Sequence, residues 1–278
     1  MIRPNLCLLL TSTIQVHHPE FLRPGGRVDP EVRLRDYTSA LRSWITRQDS
    51  VRDIVFVDNS GHPLDALQEV ADQHGSYGKR VEFLSFRTTG YSPERGRSFG
   101  ELDIMDTALQ RSALLRESAC FAKVTGRVFI PNFDAVTAAV APDFDIVGRL
   151  SHNLTWLETV LVLFRRELFS ERLLPYALRH VDDRARLHVE RVLASACLHS
   201  VAEGSRWYPF PREPRIEGVR GLDGRPYPNS ILRAAAMDLF AWGHHRALDV
   251  ASGRGRPHPA SRWRPSTAGG GDGSEGGG

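Results

Sequence analysis

The sequence predicts an α/β fold with a mostly parallel central sheet flanked by helices. Two observations carry this. Short apolar, β-leaning runs alternate with segments of helical spacing through the first two thirds of the chain, which is the pattern of strands joined by helical crossovers. The 278 residues, 41% hydrophobic and 25% charged, are enough to bury the core of one large domain or two small ones.

Residues 6–14 form the first buried strand. Residues 17–30, with Pro19, Pro24, Gly25, Gly26 and Pro30, form a loop. Residues 32–44 place Leu34, Tyr37, Leu41 and Trp44 at helical spacing. A second strand at residues 53–58 ends in Asp58, and Asn59, Ser60 and Gly61 turn the chain. A helix over 64–71 and a strand over 81–86 follow. The loop at 90–100 contains glycine and arginine. Ser98 and Glu101 then have the spacing of a capping box, with Leu102, Met105 and Leu109 on one face of the next helix. A fourth strand covers 121–130 and stops at Pro131-Asn132. Another is expected over 145–150. Residues 156–169 mix strand and helix signals. Residues 183–199 read as a helix with Asp182 or Asp183 as N-cap.

Three units emerge: residues 1–204 as the α/β domain, 205–250 as an irregular extension with a helix at 231–247, and 251–278 as a disordered tail of Gly, Ser, Pro and Arg. The net charge of +3 is too small to argue for nucleic-acid binding. Nearly all the cations are arginine, with lysine only at Lys79 and Lys123. The three cysteines, Cys7, Cys120 and Cys197, are far apart and fit neither a zinc site nor a disulfide framework. The expected setting is reducing and cytoplasmic. The apolar start reads as an internal strand rather than a signal peptide, because Thr11, Ser12, Thr13 and Gln15 interrupt it. No run reaches the length of a membrane span.

Candidate functional residues cluster at predicted strand ends, where ligands of parallel sheets bind. Thr11 and Thr13 lie at the end of the first strand. Asp58 and Asn59 follow the second, where Asp58 either holds a nucleoside or closes an Asx turn. Lys123, Thr125, Gly126 and Arg127 interrupt an apolar strand, and two such cations need anionic partners. Those partners are either a phosphate-bearing substrate or acids such as Asp103, Asp106 and Asp134. Arg97 flanks the glycine loop and is a candidate to fold over a diphosphate, although Glu101, Asp103 and Asp106 at the start of the next helix oppose an anion there. Glu101 is either a cap partner or a contact to a sugar hydroxyl. Glu158 sits among apolar residues and is either a half-exposed strand position or a carboxylate whose protonated form is favoured, which would suit a general base. His188 and Glu190 lie along the helix predicted over 183–199. No phosphate-loop or dinucleotide glycine pattern is present.

The order strand, Val-Asp-Asn-Ser, strand, glycine loop with Phe99-Gly100-Glu101, then Lys123-Val-Thr-Gly-Arg127-Val-Phe-Ile resembles bacterial GT-A-type glycosyltransferase-like proteins linked to capsule or lipopolysaccharide synthesis. The resemblance spans residues 6–193. It implies a Rossmann-like GT-A fold, a nucleoside-diphosphate sugar donor and a glycan or lipid-linked acceptor, at the inner face of the membrane. It also points to Glu190 and His188 as acidic-helix candidates on the acceptor side. One departure stands out. Metal-dependent members hold Mn or Mg through an Asp-x-Asp motif at the end of a central strand, a position occupied here by residues 123–127. Asp143-Phe-Asp145 has the letters but precedes a strand. The enzyme is therefore either metal-dependent or neutralises the diphosphate through Lys123 and Arg127. Two rivals are nucleotidyl transfer to a sugar phosphate, whose glycine-rich basic loop after the first strand is missing, and a non-catalytic interaction protein.

Overall fold

The computed structural model describes residues 5–227 apart from 23, 49, 74–76, 90–94, 139 and 222, together with 236, 239 and 243. The expected helix over 231–247 and the tail over 251–278 lie outside the described residues, except at 236, 239 and 243. In chain order the elements are β1 (Leu6–Ser12), α1 (Pro30–Arg47), β2 (Asp53–Asp58), α2 (Asp65–Gln73), β3 (Arg80–Ser85), α3 (Gly96–Arg111), α4 (Ala113–Glu117), β4 (Cys120–Thr125), β5 (Val128–Phe129), α5 (Phe133–Ala138), β6 (Ile146–Val147), β7 (Leu161–Arg165), α6 (Arg166–Leu168), α7 (Leu174–His180), α8 (Val189–Ala202), β8 (Trp207–Tyr208) and β9 (Glu217–Gly218). A π-helical turn, Phe169–Leu173, joins α6 to α7.

The expected α/β architecture is present. Seven strands form one sheet in the order β3-β2-β1-β4-β7-β6-β8. Strands β1 to β4 are parallel, β7 runs against them, and β6 and β8 return to the parallel direction. The strands are apolar on both sides because both faces are covered. On one face Leu8, Leu10 and Phe56 pack with Tyr37, Leu41 and Trp44 of α1 and Leu67 of α2. On the other, Leu9, Phe121 and Phe164 pack with α3, α7 and α8.

Four expectations are corrected by packing. The strand over 121–130 ends at Thr125, because Gly126 turns it: the Gly126 N–H donates to Thr11 O at 2.9 Å, and a Cβ there would lie 2.9 Å from that same oxygen. Val128–Phe129 then leaves the main sheet and pairs antiparallel with β9, anchored by Trp44 Nε1 donating to Val128 O at 2.9 Å. The strand over 145–150 shortens to Ile146–Val147. The mixed signal at 156–169 separates into β7 and the start of a helical run from Arg166. The helix over 183–199 begins only at Val189, capped by His188 without a side-chain bond. Asp182 and Leu187 instead pair across a tight turn that includes Arg186 at φ +60°.

The extension after residue 204 is partly built into the fold. Strand β8 joins the main sheet beside β6. From β9 the chain folds back on itself, Arg220 N donating to Arg225 O at 2.8 Å and Gly224 N to Arg220 O at 2.8 Å. This strap lies against the loop before α1, with Arg27 N donating to Gly221 O at 3.2 Å.

Candidate active site

The strand order reverses between β1 and β4, whose Thr11 and Thr125 stand side by side. Parallel sheets open a crevice at the carboxyl ends of strands at such a reversal. A cavity of about 420 Å³ opens there. Its floor is Thr11, Ser12 and Thr13 at the end of β1, Asn59 after β2 and Thr125 at the end of β4. Arg97, Glu101 and Glu190 from α3 and α8 form one wall. Arg33 and Tyr37 of α1, Arg127, and Arg220, Gly221 and Tyr227 of the strap form the other.

The floor is held from beneath. Asp58 is fully buried and accepts from Ser12 Oγ at 3.0 Å, Ile14 N at 2.8 Å, Ser60 N at 2.8 Å and Ser60 Oγ at 2.5 Å. The Ser60 N bond is the Asx turn. With four donors and no exposure, Asp58 shapes the floor and does not line the cavity. Asn59 lines it while bracing two loops: its Oδ1 accepts from Thr13 Oγ1 at 2.7 Å, and its Nδ2 donates to Thr88 Oγ1 at 3.2 Å and Gly100 O at 3.3 Å. His17 lines the mouth, with Nε2 3.0 Å from Ser60 O.

Lys123 does not reach the cavity. Its position on β4 points it to the face covered by α3, where it is 1% exposed. There it forms an ion pair with Glu101 and donates to Thr159 O at 2.6 Å. The cation is satisfied inside the protein, by Glu101 and not by Asp103, Asp106 or Asp134. Glu101 is thereby engaged with Lys123 rather than capping α3. That helix starts at Gly96, and Ser98 N is bonded by Asp183 Oδ2 at 3.1 Å. A Cβ at Gly96, which has φ +63°, would lie 2.2 Å from that carboxylate, so the site requires glycine.

Arg127 has a different environment. Its Nη2 donates to Tyr37 Oη at 3.2 Å and its guanidinium lies 5.3 Å from the Tyr37 ring centre. Its Nε and Nη1 are buried and find no hydrogen-bond partner among the described residues. Arg33, 3% exposed, donates to three neutral oxygens: Thr13 O at 2.6 Å, Arg27 O at 2.9 Å and Tyr37 Oη at 3.2 Å. Burial lowers its pKa, the Tyr37 oxygen opposes this, and the like charge of Arg127 lowers it further; a guanidinium stays charged regardless. Among the described residues neither arginine has a carboxylate within ion-pair distance.

Glu190 faces the cavity from the first turn of α8. Burial raises its pKa, as does the negative charge of Glu101, while Arg97 and Lys123 oppose the shift. Its Oε2 is buried without a hydrogen-bond partner among the described residues. The other acid-base candidates stand elsewhere. Glu158 is half exposed and sits 3.6 Å from Arg149. His188 bonds Asp183 Oδ1 through Nδ1 at 2.7 Å and packs edge-on to Trp156.

Of the residues singled out in the sequence, Thr11, Thr13, Asn59, Arg97, Glu101, Thr125, Arg127 and Glu190 meet at the cavity. Asp58, Lys123 and Gly126 lie behind its wall, and Glu158 and His188 stand outside its lining. Arg33 was missed, although a cation on the apolar stripe Tyr37, Leu41, Trp44 is a readable signal of a buried charge. Arg220, Gly221 and Tyr227 were missed because nothing local to the extension tells where it lands.

The residues present do not fit a resident divalent cation. Such an ion needs several free oxygen ligands. Glu101 is taken by Lys123 and Asp58 by its four donors. Asp143 and Asp145 lie at the opposite end of the sheet, where Arg165 stands beside Cys120 at the start of β4. There Asp143 pairs with Arg206 at 2.8 Å and Asp145 with Arg165 at 3.1 Å. Among the described residues no group of three His, Cys, Asp or Glu is arranged to hold a metal ion.

No protein-family model matches the chain, and no curated protein matches it in sequence. Solved structures similar in fold include a mannosyltransferase from Pyrobaculum calidifontis in complex with GDP-Man and Mn2+ (15% identity, 93% of this chain and 78% of that one, TM-score 0.47). Others are a core-mannan synthase from Aspergillus fumigatus (10%, 84% and 82%, 0.44) and a cytidylyltransferase from Leptospira borgpetersenii (11%, 91% and 96%, 0.42). All fall below 25% identity and a TM-score of 0.5, so the functional reading rests on the geometry of the cavity.

Proposed function

We propose that the protein is a glycosyltransferase that moves a sugar from a nucleoside-diphosphate sugar to a hydroxyl of a glycan or lipid-linked acceptor. In this reading it serves bacterial polysaccharide synthesis from the cytoplasmic face of the membrane. Among the described residues no helix is long and apolar enough to cross a membrane.

The observation that carries the reading is the pairing of opposite chemistries across one cavity. Arg33 is a buried cation and Arg127 a half-buried one with two buried nitrogens left unbonded, neither with an acid partner among the described residues, and opposite them Glu190 has an unpartnered buried oxygen. Unpaired buried groups are costly, and a substrate bringing a diphosphate and a hydroxyl would satisfy both. The nucleoside lies over Thr11, Thr13 and Asn59, with Asp58 supporting them from below. Arg127 holds the diphosphate, with Arg97 on the opposite wall.

In an inverting transfer Glu190 takes the proton of the acceptor hydroxyl as its oxygen attacks the anomeric carbon. The bond between that carbon and the diphosphate oxygen breaks, and the nucleoside diphosphate leaves with the electron pair. The guanidinium of Arg127 stabilises the charge that gathers on the leaving oxygen.

Nucleotidyl transfer fits less well. After β1 the chain carries Ser12 and Thr13, whose hydroxyls are already bonded to Asp58 and Asn59, where such an enzyme needs a glycine-rich basic loop. A purely structural partner protein has no use for the desolvated carboxylate of Glu190. The test is a thermal-shift screen of nucleoside diphosphates and nucleotide sugars, followed by titration of Arg127→Ala. A ligand that binds the folded form raises the melting temperature. Unchanged affinity in Arg127→Ala removes the phosphate assignment.

A further inference from the structure

On the reading that the cavity takes a nucleoside-diphosphate sugar, we infer that its pyrophosphate is held by an arginine cradle of Arg33, Arg127 and Arg220, organised on the Tyr37 hydroxyl, and that no divalent cation takes part in binding it.

The cradle is drawn from three distant segments. Arg33 comes from the first turn of α1, Arg127 from the turn after β4, and Arg220 from the strap. The Tyr37 oxygen accepts from Arg33 and Arg127, each at 3.2 Å, and from Thr13 N at 3.1 Å. Two guanidiniums on one neutral oxygen repel each other in a water-poor site, and an anion between them relieves that repulsion. Arg127 keeps Nε and Nη1 in reserve, and Arg220 keeps a buried Nε while its Nη2 pairs with Asp223 at 2.9 Å. Unused N–H groups on planar guanidiniums match phosphate oxygens in pairs.

The strap is shaped for this contact. A Cβ on Gly221 would lie 2.2 Å from Arg127 Nη1, so glycine is what allows the strap to close over that guanidinium. The strap is held by the β5–β9 ladder and by an Arg47–Glu217 ion pair at 2.9 Å. A divalent cation at the same place would meet three fixed positive charges and no free pair of acids.

The experiment is calorimetric titration of the full chain with inorganic pyrophosphate, UDP and GDP, in EDTA and again with Mn2+. At least one probe binds in EDTA, and Mn2+ changes its Kd by less than about threefold. Arg127→Met and Arg220→Met each weaken that binding by about tenfold or more, the worth of one charge-assisted contact. Gly221→Ala weakens it as well, by displacing the tip of Arg127. Melting temperatures of Arg220→Met and Gly221→Ala stay near that of the parent. Arg33→Met removes three internal hydrogen bonds and endangers the fold, so Arg127 and Arg220 carry the test.

Binding that requires Mn2+ overturns the cradle while leaving the donor assignment intact. Binding in EDTA that survives both methionine variants also overturns it. No binding of any probe under either condition overturns the cradle and the donor reading together.

Discussion

The two walls of the cavity handle charge in opposite ways. Lys123 and Arg127 leave the same stretch of chain four residues apart. Lys123 turns toward α3 and is closed off by Glu101. Arg127 turns past Gly126 toward α1, where its side chain bonds Tyr37 and has no acid partner among the described residues. One wall therefore holds a completed ion pair beside a lone carboxylate, Glu190, and the other holds Arg33 and Arg127 without acid partners among the described residues. A completed pair needs no further partner, whereas unpaired buried groups are candidates for contact with a ligand.

The largest effect should come from Glu190. Glu190→Gln should lower sugar transfer by about 10²–10⁴-fold, the usual worth of a general base, as measured by release of nucleoside diphosphate from the donor. Because the folded pKa of Glu190 is raised, activity should climb with pH through a midpoint above the ordinary glutamate range. The same shift means that the folded state holds this proton more tightly than the unfolded one. Stability is therefore lost as pH rises from the ordinary glutamate value through the raised one. Glu190→Gln should melt higher than the parent at pH 8 and match it at pH 4. A variant that loses activity and stability together would make Glu190 a structural residue.

Next comes the closed wall. Lys123→Met strands Glu101 and should cost about 3–5 kcal/mol in denaturant unfolding, while the variant that remains folded binds nucleotide as the parent does. A selective loss of binding at normal stability would return Lys123 to the substrate. Asp58→Ala should cost about 1–3 kcal/mol, because buried donors lose their acceptor; urea melts measure it. The smallest effect belongs to Glu158→Gln, which breaks only a half-exposed contact with Arg149. It should change stability by less than about 0.5 kcal/mol and leave transfer within about twofold of the parent. A large rate loss would move the base from Glu190 to Glu158.

The thiols belong to neither wall. Cys7, Cys120 and Cys197 are buried and unpaired. Burial pushes Cys7 and Cys197 up to about 12 and raises Cys120, so all three remain unreactive thiols.

Much of this molecule was legible in its residues alone. Period-two and period-3.6 patterns report burial directly, and so Asp53–Asp58 was read with its bounds and the sheet class was correct. The position of the cavity was legible too, because ligands of a crossover-connected sheet bind at one end, and Thr11, Asn59, Thr125 and Arg127 line a cavity there. Direction and partnership were not legible. Which way Lys123 points depends on the face that its register along β4 selects, and its partner Glu101 is brought to it by the packing of α3. The N-terminus of α3 is bonded by Asp183, 85 residues after Ser98 in the chain, which no local capping rule can anticipate. The strap depends on chain distance even more. Arg220 and Gly221 sit in a stretch without periodicity, and long-range contacts with β5, Arg47 and Arg27 bring them to the cavity. Local sequence sets which groups are buried or polar; tertiary packing alone decides which charges find partners, because pairing depends on distances in space and not on spacing along the chain.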